Sequence, residues 1–114
     1  MDKAIQKKSF DFAVRILNLC KYLRLQEKEY ILSRQLARSG TSIGANIAEA
    51  QQAQSKADFI SKMSIALKES YETDYWLRLA QATDYLDQNA FTSMIADCRE
   101  LERLLISIIK SAKE

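Results

Sequence analysis

Apolar residues recur every three or four positions through most of the chain, which is the spacing of α-helices with one buried face. The first segment carries two such stripes side by side, an inner stripe and an outer stripe. The inner stripe is Phe12, Ile16, Leu19 and Leu23, and the outer stripe is Phe10, Ala13, Leu17 and Cys20. An apolar face this wide predicts that the first helix contacts at least two neighbours.

Cap and turn residues divide the pattern into four helices, predicted at 3-24, 28-53, 56-84 and 88-112. Ser55 is placed to cap the third helix, with Asp58 three residues later as a capping-box variant, and Asp87 or Asn89 can cap the fourth. The third helix would be roughly 45 Å long. Three short connections predict antiparallel neighbours. The fold class is therefore all-α, a single-domain up-down-up-down antiparallel four-helix bundle over residues 1-114.

The second segment contains both glycines of the chain, and it allows two interpretations. Gly40, Thr41 and Ser42 resemble a helix stop followed by a new start. The buried stripe nevertheless continues from Leu36 to Ile43 and Ile47 without a change of phase, which favours one continuous helix, bent at the glycines.

Beside that stripe lies a row of small residues, namely Ser33, Ala37, Gly40, Gly44 and Ala48. Small side chains at helical spacing allow a neighbouring backbone to approach closely, so we predict a close-contact groove for a partner helix. The alternative is a plain C-cap at Gly40. Asn46 and Glu49 lie among these residues; buried, they would need hydrogen-bond partners and would fix helix register, whereas the alternative places Glu49 in water.

The sequence contains almost none of the residue patterns that catalytic sites require. The chain has no histidine, which removes Ser-His-Asp and Cys-His nucleophiles and the Glu-x-x-His di-iron motif. The glycines form no phosphate-binding loop. Glu69, Glu72 and Asp74 form a carboxylate cluster that we interpret as a solvated helix face. An enzyme would have Glu49, Glu69 and Glu72 around a divalent metal as its only conceivable site, so we expect no catalysis, no metal, no cofactor and no small-molecule substrate.

Cysteine usage and hydropathy predict where the protein acts. Cys20 and Cys98 lie in apolar periodic stretches without a CxxC partner, so we expect reduced core residues in a cytosolic protein. The N-terminal residues lack an uninterrupted apolar stretch, and no segment approaches the roughly 18 to 20 apolar residues of a membrane helix. We therefore expect a cytoplasmic protein without a membrane partner.

The net charge is only +2, but it is unevenly distributed: residues 1-38 carry nine Lys or Arg against four Asp or Glu, and the remainder eight against eleven. One explanation is a head-to-tail ring in which the basic surface of helices one and two meets the acidic surface of helices three and four. The other is a phosphate-binding patch. Each cation taken alone is best interpreted as part of a solvated helix face. The cations concerned are Lys8, Arg15, Lys21, Arg24, Lys28, Arg34 and Arg38.

Two stretches, SIGANIAEA at 42-50 and SKADFISKMSIALKESYETDYWLRLA at 55-80, resemble the four-helix-bundle family of proteins encoded in intervening sequences of bacterial 23S rRNA genes. That family includes accessory proteins of diversity-generating retroelements. The resemblance implies a bundle that assembles into a homopentamer and, for retroelement members, binding to reverse transcriptase and RNA. Those accessory proteins are strongly basic, unlike this chain, and Gly44 stands where many relatives have proline.

We therefore expect a non-enzymatic, self-assembling scaffold, a homopentamer, for a protein or RNA partner. The alternative is an RNA-binding accessory protein of a reverse transcriptase that uses the basic surface of helices one and two. Tyr75 and Trp76 could stack on bases, but such a pair in a bundle is more often core or interface. The residues expected to pack helices closely or to mediate assembly are Ala37, Gly40, Ser42, Ile43, Gly44, Asn46, Ile47, Ala48, Glu49, Tyr75 and Trp76.

Overall fold

The computed structural model describes residues 3–114, which form four α-helices in an up-down-up-down bundle measuring 45 × 20 × 19 Å. The helices are α1 (Lys3–Leu25), α2 (Ile31–Ala50), α3 (Lys56–Ala82) and α4 (Gln88–Lys113). Each helix packs on the next, and α4 returns to contact α1. The predicted fold class is confirmed.

The second helix begins three residues later than predicted, at Ile31, because the chain turns sharply before it. Lys28 has a φ of 54°, outside the helical range. The carboxylate of Glu29 then accepts hydrogen bonds from the backbone N–H groups of Ile31, Leu32 and Ser33, at 3.0, 2.8 and 2.8 Å. This side chain satisfies N–H groups of the first turn that have no partner within the helix. The predicted start at residue 28 is therefore wrong.

Two predicted helix ends were also too late. The second helix ends at Ala50 rather than at residue 53, since Gln52 and Ala53 donate backbone hydrogen bonds to carbonyls three residues back. The third helix ends at Ala82 rather than at residue 84. Asp84, just after this helix, has a φ of 67°, in the left-handed region. The Tyr85 N–H donates to the Ala80 carbonyl, as in a Schellman motif at a helix C-terminus.

The predicted caps of α3 and α4 are confirmed, and α2 is continuous. Ser55 Oγ accepts a hydrogen bond from the Asp58 N–H at 3.0 Å, and Asp87 Oδ1 accepts one from the Ala90 N–H at 2.8 Å. The helix α2 runs unbroken through the glycines, neither of which has a positive φ. The hydroxyls of Thr41 and Ser42 bond to carbonyls one turn back instead of starting a new helix.

The core uses the inner stripe of α1 and leaves part of the outer stripe uncovered. Phe12, Ile16 and Leu23 are buried, whereas Phe10 and Leu17 are 69% and 45% exposed. The two cysteines are buried and free, as predicted. The width of the apolar face on α1 therefore exceeds what its neighbours within the bundle cover.

Candidate functional site

The contact between α1 and α2 is unusually close because α2 presents glycine there. A Cβ built on Gly40 would stand 2.8 Å from Ile16 Cγ2, and one built on Gly44 would stand 3.3 Å from the backbone oxygen of Ser9. The row of small residues therefore faces α1 of the same chain. Whether it also takes part in assembly stays a prediction.

Outside this contact, the two helices form an open apolar groove, which we call the α1–α2 groove. Its wider part has a volume of about 430 Å³, with Phe10 and Ala13 on one side and Gly44 and Ala48 on the other. A second part of about 370 Å³ lies farther along α1. Its lining residues include Leu17, Lys21, Arg24, Leu25 and Ala37.

The groove is apolar in its wider part and basic toward the turn between α1 and α2. Leu25, at that end, is 67% exposed, and Val14 beside the outer stripe is 46% exposed. Contiguous exposed apolar surface of this kind is typical of an interaction site. This groove is thus the strongest candidate for a binding surface in residues 3–114.

The remaining residues expected to mediate packing lie in three different environments. Ile43 and Ile47 are fully buried in the core. Asn46 is partly buried, and its Nδ2 donates to the Ser42 carbonyl at 2.8 Å. Glu49 is exposed and forms an ion pair with Lys62, 3.2 Å away.

The two aromatic residues singled out on α3 contact each other. The rings of Tyr75 and Trp76 meet edge to face with centroids 5.0 Å apart. Trp76 Nε1 donates to Glu72 at 3.1 Å, and the guanidinium of Arg78 lies 5.6 Å from the centre of the Tyr75 ring. Trp76 is partly buried and packs against the core, while Tyr75 is 48% exposed.

Three of the seven cations proposed for nucleic-acid contact form ion pairs with acids on other helices of the same chain. Lys8 lies 3.1 Å from Glu100, and Arg15 pairs with Asp97, so that both link α1 to α4. Arg38 links α2 to α3, where it pairs with Glu69 at 3.4 Å and also with Glu72. The charge asymmetry of the sequence is therefore partly balanced within one chain. All three acids considered as metal ligands form ion pairs, Glu69 and Glu72 with Arg38 and Glu49 with Lys62.

The other four cations lie near the turn that joins α1 to α2, and within the described residues none of them has an acidic partner. Lys21 and Arg24 line the groove, Arg34 is exposed in the second turn of α2, and Lys28 bonds only to the backbone carbonyl of Leu25. Glu27 is the exposed acid in the same turn. This end of the bundle is thus the part of the proposed patch with free positive charge.

A charged cluster between α3 and α4 was missed by the sequence reasoning. Asp74, interpreted as a solvated residue, is 7% exposed, so that interpretation is wrong. Its carboxylate accepts from Arg78 Nε at 2.9 Å and from Arg99 Nε at 3.0 Å. Glu102 and Cys98 complete the cluster, with potential ligand atoms of Asp74, Cys98 and Glu102 all within 4.8 Å of one another.

The pKa values of the two carboxyl groups in this cluster are shifted in opposite directions. Burial raises the pKa of Glu102 to about 7, helped by its hydrogen bond to Asp74 and by the negative charge there. Burial alone would also raise the pKa of Asp74, but hydrogen bonds from Glu102, Arg99 and Arg78 lower it below its ordinary value. Just below pH 7 the pair therefore holds one proton, which Glu102 carries.

The cluster fits a structural role better than a metal site. Both oxygens of Asp74 already accept hydrogen bonds from guanidinium groups, which a cation would have to displace. The Cys98 thiol contacts the Ser70 carbonyl at 3.3 Å, and burial followed by the charges of Glu102 and Asp74 raises its pKa, which disfavours the thiolate that binds metals. Within residues 3–114, every buried side-chain nitrogen and oxygen has a hydrogen-bond partner.

These features define the class: a four-helix bundle with an exposed apolar groove and with no catalytic constellation recognised in the part that the structure describes. No helix of residues 3–114 is long and apolar enough to cross a membrane. The chain belongs to the family of 23S rRNA-intervening sequence proteins, whose sequence profile matches residues 1–107. The predicted family is thereby confirmed.

A solved structure supports this assignment over nearly the whole chain. It is a protein of unknown function from the S23 ribosomal protein family of Bacteroides thetaiotaomicron VPI-5482, 55% identical in sequence. The two structures superpose with a TM-score of 0.94, covering 96% of this chain and 97% of the other. Among curated proteins the chain finds no match.

Proposed function

We propose that this chain is a non-enzymatic protein that self-assembles through the α1–α2 groove and serves as a cytosolic scaffold for a protein or RNA partner. The homopentamer implied by the family resemblance is the assembly we expect. The observation that carries the proposal is the outer stripe of α1, which remains exposed at Phe10 and Leu17 beside small residues of α2.

The physical reason is the apolar area that such a contact would remove from water. Burial of exposed apolar surface is the main favourable term in most protein association. The groove also offers depth, because Gly44 and Ala48 leave room between the helices for a side chain from another copy. A small-residue floor with larger apolar walls is suited to close helix packing.

Native mass spectrometry and light scattering at micromolar concentration test the assembly directly. We expect a single oligomer, a pentamer, for the wild type, and a shift toward monomer for Phe10→Ser and Leu17→Ser at unchanged helical content. Ile31→Ser is the matched control, since Ile31 is 78% exposed and does not line the groove. A monomeric wild type would contradict the proposal.

RNA binding as an accessory of a reverse transcriptase is the second candidate, favoured by the four cations near the α1–α2 turn that lack acidic partners. Backbone contacts to phosphates make affinity fall steeply as salt rises. The test is binding of a fluorescent oligouridine at two salt concentrations. Binding at low salt that weakens at high salt would favour this role; absence of binding at low salt would leave a protein-interaction role.

A further inference from the structure

Four large apolar side chains are exposed around the turn that joins α1 to α2, at one end of the elongated bundle. Leu25 ends α1 and is 67% exposed, and Ile31 begins α2 and is 78% exposed. Tyr22 and Tyr30 precede them along the chain, and each is about half exposed. We call these four residues the α1–α2 tip. Only Leu25 also lines the α1–α2 groove, so the tip is a largely separate surface.

Positive charge without acidic partners surrounds the tip. The cations concerned are Lys21, Arg24, Lys28 and Arg34, which are all exposed. Glu27 is an exposed acid of the same turn, whereas the carboxylate of Glu29 is directed inward, onto backbone N–H groups of α2. Elsewhere on these helices Arg15 and Arg38 pair with acids of α4 and α3. The cations at the tip are therefore available to an external anion.

This combination of apolar and basic side chains has the chemistry that binds an anionic lipid surface. Leu25 ends one helix and Ile31 begins the next, antiparallel one, so both lie at the same level at the end of the bundle. Tyrosine is enriched where proteins meet lipid headgroups, because its ring is apolar and its hydroxyl is polar. Each Lys or Arg held near an anionic bilayer strengthens binding about fivefold.

RNA fits the tip less well than lipid does. The four cations could contact phosphates of either partner, but the two most exposed side chains, Leu25 and Ile31, are aliphatic. Single-stranded nucleic acid is bound by base stacking on aromatic rings, to which aliphatic side chains contribute nothing. An RNA partner would thus leave these two side chains in water, whereas a bilayer would bury them.

We propose that the α1–α2 tip docks on the surface of an anionic phospholipid bilayer, with Leu25 and Ile31 among the headgroups and the surrounding cations on lipid phosphates. This inference goes beyond the proposed function and does not depend on self-assembly. It also revises the expectation of no membrane partner. That expectation concerned spanning and secretion, which require long apolar stretches, whereas surface docking requires only a few exposed side chains near cations.

The acids at the same end of the bundle determine how the protein would lie on the bilayer. The turn at 83–87, which joins α3 to α4, shares this end because adjacent helices are antiparallel. Asp84 and Asp87 are exposed there, and an anionic surface repels them. The bundle therefore leans toward its α1–α2 side, which brings the tip into contact and keeps the second turn farther away.

Co-sedimentation of the full chain with lipid vesicles tests the docking. One set of vesicles contains phosphatidylglycerol and phosphatidylcholine in equal parts, and the other contains phosphatidylcholine alone. The apolar variant is Leu25→Ser with Ile31→Ser, and the basic variant is Lys21→Gln with Arg24→Gln. Circular dichroism establishes that each variant is folded.

Two control variants match these substitutions at other places on the surface. Tyr71→Ser with Ile106→Ser removes two half-exposed apolar side chains from α3 and α4. Lys56→Gln with Lys113→Gln removes two exposed cations at the end of the bundle opposite the tip. Both controls should bind vesicles like the wild type.

We expect the wild type to bind the phosphatidylglycerol vesicles but not those of phosphatidylcholine alone, and to bind more weakly at high salt. The basic variant should bind roughly twentyfold more weakly. The apolar variant should bind about tenfold more weakly, because it loses the buried aliphatic surface. If the apolar variant does not fold, Ile31→Ser alone should weaken binding about threefold.

Three results would overturn the inference. The first is no binding of the wild type to the phosphatidylglycerol vesicles at low salt, and the second is binding of the apolar variant equal to that of the wild type. The third is binding of fluorescent oligouridine that requires Lys21 and Arg24 in a chain that does not sediment with vesicles, which would assign these cations to RNA. None of these results depends on the oligomeric state, so they leave the proposed self-assembly to its own test.

Discussion

Gly40 of α2 lies directly against Ile16 of α1, closer than any residue with a Cβ could at the present helix separation. A Cβ on Gly40 would stand 2.8 Å from Ile16 Cγ2 and 2.9 Å from Cγ1. Ile16 is fully buried, and its β-branched side chain is stiff at χ1, so it has little room to move aside. Glycine at this position thus sets the distance between α1 and α2.

We expect Gly40→Ala to destabilise the protein although alanine favours helices. The gain in helix propensity is about 1 kcal/mol. Overpacking of a filled core costs about 1–3 kcal/mol, and here the clash involves atoms near the Ile16 backbone rather than a flexible end. The free energy of unfolding in urea should therefore fall by about 1 kcal/mol, and by at most about 2 kcal/mol.

A double-mutant cycle with Ile16→Ala isolates this contact. Truncation of Ile16 removes both atoms nearest the added Cβ, so Gly40→Ala should cost less in that background than in the wild type. Strictly additive effects would mean that the two residues do not clash as described.

Gly44→Leu should affect assembly more than folding. A Cβ at position 44 meets the Ser9 oxygen at 3.3 Å, which a shift of a few tenths of an ångström relieves. The rest of the leucine would extend into the α1–α2 groove, where Phe10 and Ala48 lie. We therefore expect a melting temperature close to that of the wild type measured as a monomer, and a weakened oligomer by light scattering. An unchanged oligomer would show that the groove is not part of the contact.

Local sequence signals predicted most of the fold, because their consequences depend on few residues. The hydroxyl of Ser55 and the carboxylate of Asp87 need only the backbone that follows them, and both caps form as expected. The unbroken phase from Leu36 to Ile47 correctly indicated a continuous α2. Periodicity alone could not say which stripe of α1 enters the core, since both stripes are apolar and only helix packing distinguishes them.

The charged cluster between α3 and α4 lay beyond sequence reasoning for a different reason. Asp74 is partnered by Arg78 one turn later, which the spacing could have revealed, and by Arg99, which is 25 positions away. Only the register of α4 against α3 brings Arg99 and Glu102 to Asp74. The ion pairs of Arg15 and Arg38 likewise depend on register between helices, so the sequence indicated charge asymmetry without its partners.

Substitution of Glu29 tests whether its carboxylate fixes the start of α2 at Ile31. Its carboxylate accepts three backbone N–H groups, and the residue is 8% exposed. Glu29→Ala would leave those donors without this acceptor, and losses at helix N-termini are typically about 1 kcal/mol and reach about 2 kcal/mol. We expect a decrease of that size in the free energy of unfolding.

Glu27→Ala is the matched control in the same turn, since Glu27 is exposed and caps nothing in the described structure. It should change the free energy of unfolding by less than about 0.5 kcal/mol. Equal losses in the two variants would contradict the capping role of Glu29.

The shared proton of Asp74 and Glu102 makes stability depend on pH in a predictable direction. In the unfolded chain Glu102 loses its proton near its ordinary pKa of 4.5, but in the folded protein the pKa is raised to about 7. Between these values the folded state binds more protons than the unfolded state. Stability from Glu102 is therefore lost as the pH rises toward and through 7. Asp74 has the opposite sign: its lowered pKa contributes stability that is lost as the pH falls below its ordinary value of 3.8.

We expect the melting temperature of the wild type to fall by a few degrees between pH 5 and pH 8, and Glu102→Gln to remove most of that decline. Glutamine cannot ionise, and its amide can still donate a hydrogen bond to Asp74. The variant should therefore be at least as stable as the wild type at pH 8. The control is Glu100→Gln, two residues earlier in α4, where the carboxylate pairs with Lys8 of α1. This variant should keep the wild-type dependence of melting temperature on pH. Differential scanning calorimetry at matched ionic strength makes the comparison, and an identical slope in Glu102→Gln and the wild type would show that Glu102 does not retain its proton in the folded state.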